Sequence, residues 1–268
     1  MSLSSILFLF LTHLGVGVTL VLAWVARDAG VKFFRFNAGL AALLVAAGFA
    51  LRPEPQGSGQ LHLIATATLL LAETALVIYW MTIGRVLAKV RPFLLWTAIA
   101  GGLIAVTAQA LEISSGAPGL LPLLTVASFL SSVALLGGAC GAMILGHWYL
   151  IVPSLDVSHL QSIVKLHIGS MVVRGVVVAA AVIIAIVTWQ PGMGPNFQRY
   201  ILSTSGVFFW QRVLFGLGGP ALLSYLTWET AKIRSTQSAT GILYVDFFTV
   251  IVGEVLAKYL LLSTTVPV

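Results

Sequence analysis

The stretch GILYVDFFTVIVGEVLAKYLLL, residues 241–262, decides the fold of this 268-residue chain. An apolar helix of about 20 residues is long enough to cross the hydrocarbon core of a membrane. This stretch nevertheless carries Asp246, Glu254 and Lys258. Ionisable side chains at membrane depth are costly unless they are paired or line a polar cavity. The other helices must therefore supply partners for these residues.

The composition of the whole chain is that of an integral membrane protein. It is 59% hydrophobic and 8% charged, with a mean hydropathy of +1.04, whereas about a quarter of the residues of a soluble domain are charged. The single cysteine, Cys140, lies in an apolar run, which excludes an intramolecular disulfide, a covalent c-type haem and a cysteine-ligated cluster. We expect the lipid bilayer as a partner and no nucleic acid, since no nucleic-acid signature is present.

Apolar runs of spanning length recur along the chain. They lie near residues 3–25, 33–51, 61–83, 92–113, 120–151, 166–189, 202–229 and 241–262. The first has no positively charged start, so we interpret it as a retained helix rather than a signal peptide. The connections are too short for a separate soluble domain. We therefore predict an all-α polytopic membrane protein, with about eight transmembrane helices in one bundle and residues 1–268 forming a single transmembrane domain.

Basic residues predict the orientation of the bundle. The odd-numbered connections hold Arg27, Lys32, Arg35, Arg85, Lys89, Arg91, Lys165, Lys232 and Arg234, and the even-numbered ones hold only Arg52 and Arg199. Lysine and arginine are enriched in cytoplasmic loops, so the odd connections are predicted to be cytoplasmic and both termini outside. We expect a multi-pass protein of a bacterial-type inner membrane.

Polar residues on the first and third helices indicate a proton-transfer site. At the helical rise, His13 lies about 15 Å and Glu73 about 18 Å from the outer ends of their helices. A histidine and a carboxylate at matched depth could accept the protons released when a quinol is oxidised. The alternative is a hydrogen bond between helices or a buried neutral carboxyl group. His62, at the start of the third helix, is interpreted as a boundary residue.

The last two helices are predicted to share an ion network. Arg212 and Glu254 lie at a similar depth of about 12 Å, and Glu254 and Lys258 are four residues apart, on one helical face. We predict a structural network of Arg212, Glu254 and Lys258 that locks these helices together. Asp246 lies nearer the cytoplasmic side, and its candidate partner is Arg174 on the sixth helix.

Two other functions are compatible with the sequence. His147 and His167 could be the axial ligands of a b-type haem, although both lie near helix ends rather than well inside a helix. A secondary transporter would use the buried charges and a break at Gly218-Gly219-Pro220 as a midplane site, because proline interrupts a helix. The sequence shows no second broken helix to match it.

The last helix resembles a known family. Its run Val252-Gly253-Glu254-Val255-Leu256-Ala257-Lys258-Tyr259, together with eight helices and outside termini, is similar to the membrane-anchor subunits of dimethyl-sulfoxide-reductase and polysulfide-reductase type enzymes, the DmsC/NrfD-like group. The resemblance implies an anchor that is haem-free in most cases, binds a quinone (menaquinone or ubiquinone) in the bilayer, and holds an iron–sulfur or cytochrome subunit of a multi-subunit membrane complex. It gives Glu254 and Lys258 a structural role only.

The resulting hypothesis is a quinone-interacting anchor subunit of a respiratory electron-transfer complex. It would exchange electrons between the quinone pool and a partner redox subunit, with His13 and Glu73 taking the protons of the quinol. We expect no catalytic residue of another kind and no protein-bound metal, unless the haem alternative holds. The chain would then be either a non-catalytic or a quinol-oxidising part of an oxidoreductase complex.

Overall fold

The computed structural model describes residues 2–53, 59–85, 88–152, 155–189 and 196–268, and these residues form no β-strand. The first six long helices are α1 (Leu3–Leu22), α2 (Gly30–Ala50), α3 (Gln60–Thr82), α4 (Arg91–Ile113), α5 (Leu121–Ile151) and α6 (Val157–Val187). They are followed by the short α7 (Phe197–Ile201), by α8 (Val207–Val213), a π-helical segment (Leu214–Gly218) and α9 (Gly219–Lys232), and by α10 (Thr236–Thr264).

The described residues contain seven helical segments that are long and apolar enough to cross a membrane. They are α1 to α6 and the passage Thr204–Lys232, which contains α8 and α9. The chain is therefore an all-α polytopic membrane bundle, as the sequence predicts.

Helix α10 is not one of these seven segments, but it also runs the length of the bundle. At one end Thr240 Oγ1 donates to the backbone oxygen of Gly146, 2.8 Å away near the end of α5. At the other end Leu262 lines a cavity together with Ser5 at the start of α1. The first and last helices therefore have their outer ends at the same end of the bundle. Which membrane side this end faces stays a prediction from the basic residues.

Helices α1 and α5 form the centre of the bundle. Helix α1 packs on α2, α4, α5 and α10, and α5 packs on α1, α4, α6 and α10. The most apolar stretch of α1 is 78% buried, against 28% for α3, which packs mainly on α4 at the periphery. Polar side chains on the inner faces of α1, α5, α6 and α10 are therefore shielded from lipid by other helices.

Glycine permits the close crossing of α1 and α5. A Cβ atom added to Gly17 would lie 2.4 Å from the backbone oxygen of Val133, and one added to Gly137 would lie 2.3 Å from the backbone oxygen of Gly17. Small residues allow helix backbones to approach in this way inside a membrane. The glycine clusters of the sequence thus position the two central helices.

The predicted break near Gly218 is a π-helical segment rather than an interruption. Gly216 in this segment packs against Gly253 of α10, where an added Cβ would lie 2.4 Å from the Cα atom of Gly253. Pro220 directly follows this segment as the second residue of α9, and its missing N–H group removes one hydrogen bond of the helix there without ending it. The passage therefore stays helical from α8 through α9, without the unwound backbone of a transporter midplane site.

Candidate functional site

A buried carboxylate on α10 gathers charged groups from the centre of the bundle. Glu254 Oε1 accepts hydrogen bonds from Arg174 Nε at 2.9 Å and from Arg212 Nη2 at 2.8 Å. Its Oε2 accepts from Ser132 Oγ at 2.5 Å and from Lys258 Nζ at 3.2 Å. All four charged side chains are at most 2% exposed. The structure thus brings together the predicted group of Arg212, Glu254 and Lys258.

Arg174 belongs to this network instead of pairing with Asp246. Besides Glu254, its guanidinium donates to the Ser128 hydroxyl at 2.7 Å and to the backbone oxygens of Ser128 and Val268 at 3.0 and 3.3 Å. The predicted pairing of Arg174 with Asp246 is therefore wrong. Helix α6 is rotated so that Arg174 points toward α5 and α10, and span length alone does not determine such a rotation.

The network contains more positive than negative side chains. Arg174, Arg212 and Lys258 face the single carboxylate of Glu254. Neutral groups also contact the cations. Arg212 Nη1 donates to the backbone oxygen of Gly216 at 2.8 Å, and Lys258 Nζ donates to Ser132 Oγ at 2.6 Å and lies 5.6 Å from the centre of the Phe129 ring. Arg212 Nε has no hydrogen-bond partner among the described residues, so the other contacts of the network must offset the cost of burying these charges. We interpret the network as a structural lock between α5, α6, α8 and α10.

His13 joins the network through Ser132. Its Nδ1 lies 3.1 Å from Ser132 Oγ, and that hydroxyl already donates to Glu254. His13 therefore donates from Nδ1, which leaves Nε2 unprotonated and without a hydrogen-bond partner in the described ranges. The side chain is completely buried. Its Nε2 is thus a buried hydrogen-bond acceptor close to the cations of the network.

Glu73 lies apart from His13. It is half-buried on α3, and its Oε2 has no hydrogen-bond partner among the residues whose positions are described. The partner of His13 is Ser132, on α5. The matched depth inferred from the sequence therefore does not bring the two side chains into one hydrogen-bonded site.

Asp246 pairs with a histidine. Its Oδ2 lies 2.7 Å from Nε2 of His167, and both side chains are completely buried. His147 is exposed instead, and its Nδ1 lies 2.8 Å from the Tyr244 hydroxyl. Each candidate haem ligand thus has a polar neighbour in a different environment, and the contact of His167 with Asp246 is an ion-pair contact without hydrogen-bond geometry. No group of three or more histidine, cysteine or acidic residues suited to a metal ion occurs within the described part of the chain.

A cavity opens at the end of the bundle where the first helix begins. Its volume is about 470 Å³. The inner walls are apolar and include Phe8, Leu9, Phe49, Leu69 and Leu262. The polar lining includes Arg52, His62, Thr66, Gln109 and Glu112. By the positive-inside prediction this is the outer end of the bundle.

The polar lining residues form a hydrogen-bonded chain. His62 Nδ1 lies 2.9 Å from Glu112 Oε1, while Arg52 donates to His62 Nε2 and to the Thr66 hydroxyl. This pattern fits a neutral His62 that carries its proton on Nδ1. Glu112 is 40% exposed, so the chain leads from the cavity to solvent.

Gln109 supplies an unpaired polar group inside the same cavity. It is only 4% exposed, and its Oε1 has no hydrogen-bond partner in those parts of the chain that the structure describes. A buried amide oxygen without a partner is costly and calls for an explanation such as a bound ligand. A ligand hydroxyl that reaches Gln109 would satisfy it.

Sequence reasoning missed most of this cavity. It placed His62 at the boundary and gave no role to Arg52, Gln109 or Glu112. A usable signal was present: Arg52 and Glu112 lie near the ends of α2 and α4, and His62 near the start of α3. Because neighbouring helices are antiparallel, the ends of α2 and α4 and the start of α3 lie at the same end of the bundle.

The sequence matches no protein-family model, and no curated protein matches it. The function of the chain must therefore be inferred from the geometry of these residues.

Proposed function

We propose that this chain is a quinone-interacting membrane subunit of a respiratory electron-transfer complex. The observation that carries the proposal is the cavity beside Arg52, His62, Gln109 and Glu112, with its apolar walls and polar mouth. Small-molecule sites commonly have volumes of about 300–1,000 Å³ and combine apolar walls with a few placed polar groups. A quinone has the matching shape, since it joins a polar ring to an apolar tail.

The polar groups fit both redox forms of the ring. Gln109 is nine-tenths buried and carries an acceptor and a donor on one amide. Its Oε1 can accept from a quinol hydroxyl, and its Nε2 can donate to a quinone carbonyl. One residue can therefore hold the ring before and after electron transfer, which suits a site that exchanges with a quinone pool.

The hydrogen-bonded chain provides a route for protons. Oxidation of a quinol releases a pair of electrons and a pair of protons. His62 accepts a proton on Nε2 when Arg52 withdraws the N–H group that donates to it and keeps its contact with Thr66, and Glu112 receives the Nδ1 proton across 2.9 Å and delivers it to solvent. General bases act across such hydrogen-bond distances. Both protons leave by this route in turn, and both electrons pass to a redox centre in a partner subunit.

This proposal moves the site from the predicted pair His13 and Glu73 to the bundle end. Leu9 lines the cavity, and His13 lies four residues further along α1, about 6 Å along the helix axis. His13, whose Nε2 has no partner within the described ranges, is retained as a deeper hydrogen-bond acceptor rather than as the first proton acceptor. Glu73 has no assigned role in proton release.

The remaining parts of the assignment come from the resemblance of the last helix to anchor subunits. They are the electron-accepting partner, an iron–sulfur or cytochrome subunit, and the location in a bacterial-type inner membrane. The quinone would be menaquinone or ubiquinone. The protein would then connect the quinone pool to the active site of another subunit.

Binding of a quinone by the purified protein tests the proposal. In lipid nanodiscs, calorimetric titration with a short-tailed ubiquinone or menaquinone analogue is expected to show saturable binding. Gln109→Leu should weaken it about tenfold, the effect of losing one hydrogen bond of about 1.4 kcal/mol. The control is His159→Gln, because His159 and Asp28, 2.6 Å apart, form a pair like that of His62 and Glu112 but lie away from the cavity. Absence of saturable binding, or equal loss in both variants, would overturn the proposal.

A further inference from the structure

A second cavity forms a groove between α2 and α3 at the opposite end of the bundle. Its volume is about 540 Å³, and it is lined by Lys32, Arg35, Phe36, Gly39, Leu40, Leu43 and Trp80. We call it the α2–α3 groove. By the basic-residue prediction, it opens toward the cytoplasmic leaflet.

The mouth of the groove is positively charged. Lys32 and Arg35 are three residues apart on α2 and therefore lie on one helical face. The guanidinium of Arg35 lies 5.7 Å from the centre of the Trp80 ring. No acidic residue lines the groove, and neither cation forms an ion pair with a carboxylate in the described portion of the chain. The mouth is thus electrostatically suited to an anion.

The floor of the groove depends on a glycine. A Cβ atom added to Gly39 would lie 2.8 Å from Nε1 of Trp80. The missing side chain lets the indole ring lie against α2, where it closes one side of the groove. Tryptophan often occupies this position at a membrane interface, because its ring is apolar and its N–H group is polar.

Along α2 the lining of the groove changes from charged to apolar, in the same order as the head group and the acyl chains of a lipid molecule. The cations come first, and Phe36, Leu40 and Leu43 follow toward the membrane interior. Phe36 is 56% and Leu43 67% exposed, so this apolar wall is open to the bilayer. Lys32 and Leu43 are eleven residues apart, about 16 Å along the helix. This is about half of the 30 Å hydrocarbon core, the depth of one leaflet.

We propose that the α2–α3 groove binds one anionic phospholipid of the cytoplasmic leaflet. The lipid phosphate contacts Lys32 and Arg35, and an acyl chain lies along Phe36 and Leu43, beside Trp80. Basic pockets between helices on the cytoplasmic side are suited to anionic head groups. The inference is independent of the proposed quinone function, since Arg52 and the first cavity lie at the other end of α2.

Native mass spectrometry of the full chain tests this proposal. The protein would be released from nanodiscs that contain equal amounts of phosphatidylglycerol and phosphatidylcholine. One bound phosphatidylglycerol is expected on the wild-type protein, and the double variant Lys32→Gln, Arg35→Gln should retain it about thirtyfold more weakly. The control Arg85→Gln, Lys89→Gln removes the same charge from exposed residues of the same end that do not line the groove.

A second variant separates shape from charge. Gly39→Leu keeps both cations but fills the groove beside Trp80, and it should also lose the bound lipid. Equal retention of phosphatidylcholine would overturn the proposal, as would a similar loss in the Arg85→Gln, Lys89→Gln control. Displacement of the lipid by inorganic phosphate alone would reduce the site to a simple anion site and would also contradict it.

Discussion

Replacing Glu254 with glutamine is expected to destabilise the protein severely. Glu254 contacts Arg174 and Arg212 at 2.9 and 2.8 Å and Lys258 at 3.2 Å, in a region without exposure to solvent. Glutamine keeps the shape of the side chain but removes the negative charge and turns an NH₂ group toward other donors. Three buried cations would then lose their shared counter-charge.

The magnitude follows from the number of pairs that are broken. Removing one partner of a buried ion pair costs about 3–5 kcal/mol, because the other charge stays buried. Because Glu254 pairs with several cations, we expect the free energy of unfolding to fall by about 5 kcal/mol, near the upper value. This is comparable with the whole stability of a typical folded protein, about 5–15 kcal/mol. Most of the variant protein should therefore fail to accumulate in folded form.

The assay measures the amount and the thermal stability of the detergent-extracted protein. Fluorescence-detected size-exclusion chromatography gives the folded fraction, and thermal unfolding gives the midpoint. A loss of about 5 kcal/mol lowers the midpoint by about 10–20 °C for a chain of this size. Glu112→Gln is the matched control, since Glu112 is 40% exposed and its pair should contribute at most about 1 kcal/mol.

A compensating variant makes the test sharper. Adding Lys258→Met to Glu254→Gln removes one unpaired cation and should recover part of the folded protein, because apolar groups can replace buried ion pairs at little cost. A midpoint within about 2 °C of the wild-type value in Glu254→Gln would refute the reasoning. Normal assembly with loss of quinol-dependent activity would instead give Glu254 a functional role.

Two further predictions concern packing and cofactor content. Gly17→Ala should lower the thermal midpoint strongly, because the added Cβ would lie 2.4 Å from the backbone oxygen of Val133. Gly169→Ala is the control and should leave the midpoint unchanged, since a Cβ there meets no atom within 4 Å. Equal effects of the two substitutions on thermal unfolding would contradict the close α1–α5 crossing. A dithionite-reduced minus oxidised spectrum of the purified chain should show no b-type haem band. A Soret band that disappears in His147→Ala or His167→Ala would restore the cytochrome alternative.

The positions of the long helices could be predicted because a membrane span has a simple apolar signal. The sixth helix is the main exception: it was predicted from residue 166 and begins at Val157. Its first turns contain polar residues such as Ser158 and Lys165, which lower the hydropathy without preventing a helix. Asp156 caps it by accepting from the backbone N–H of Ser158 at 2.8 Å. This hydrogen bond holds the pKa of the Asp156 carboxyl below its usual value.

The candidate sites were predictable only where spacing along a helix was sufficient. Glu254 and Lys258 share a face because they are four residues apart, and Arg212 lies at the same depth. The partner of Arg174 depends on the rotation of α6, and the separation of His13 from Glu73 depends on which helices are neighbours. Neither quantity can be obtained from the length of an apolar run.

The π-helical segment Leu214–Gly218 gives the passage from α8 to α9 one residue more than regular α-helical turns would contain. One residue corresponds to about 100° of rotation about the helix axis. Side chains on α9 are therefore out of phase with those on α8. Arg212 faces Glu254 of α10, while Trp228 faces α6, with its ring centre 5.2 Å from Nζ of Lys165. The phase shift thus determines which faces of α8 and α9 meet α10 and α6.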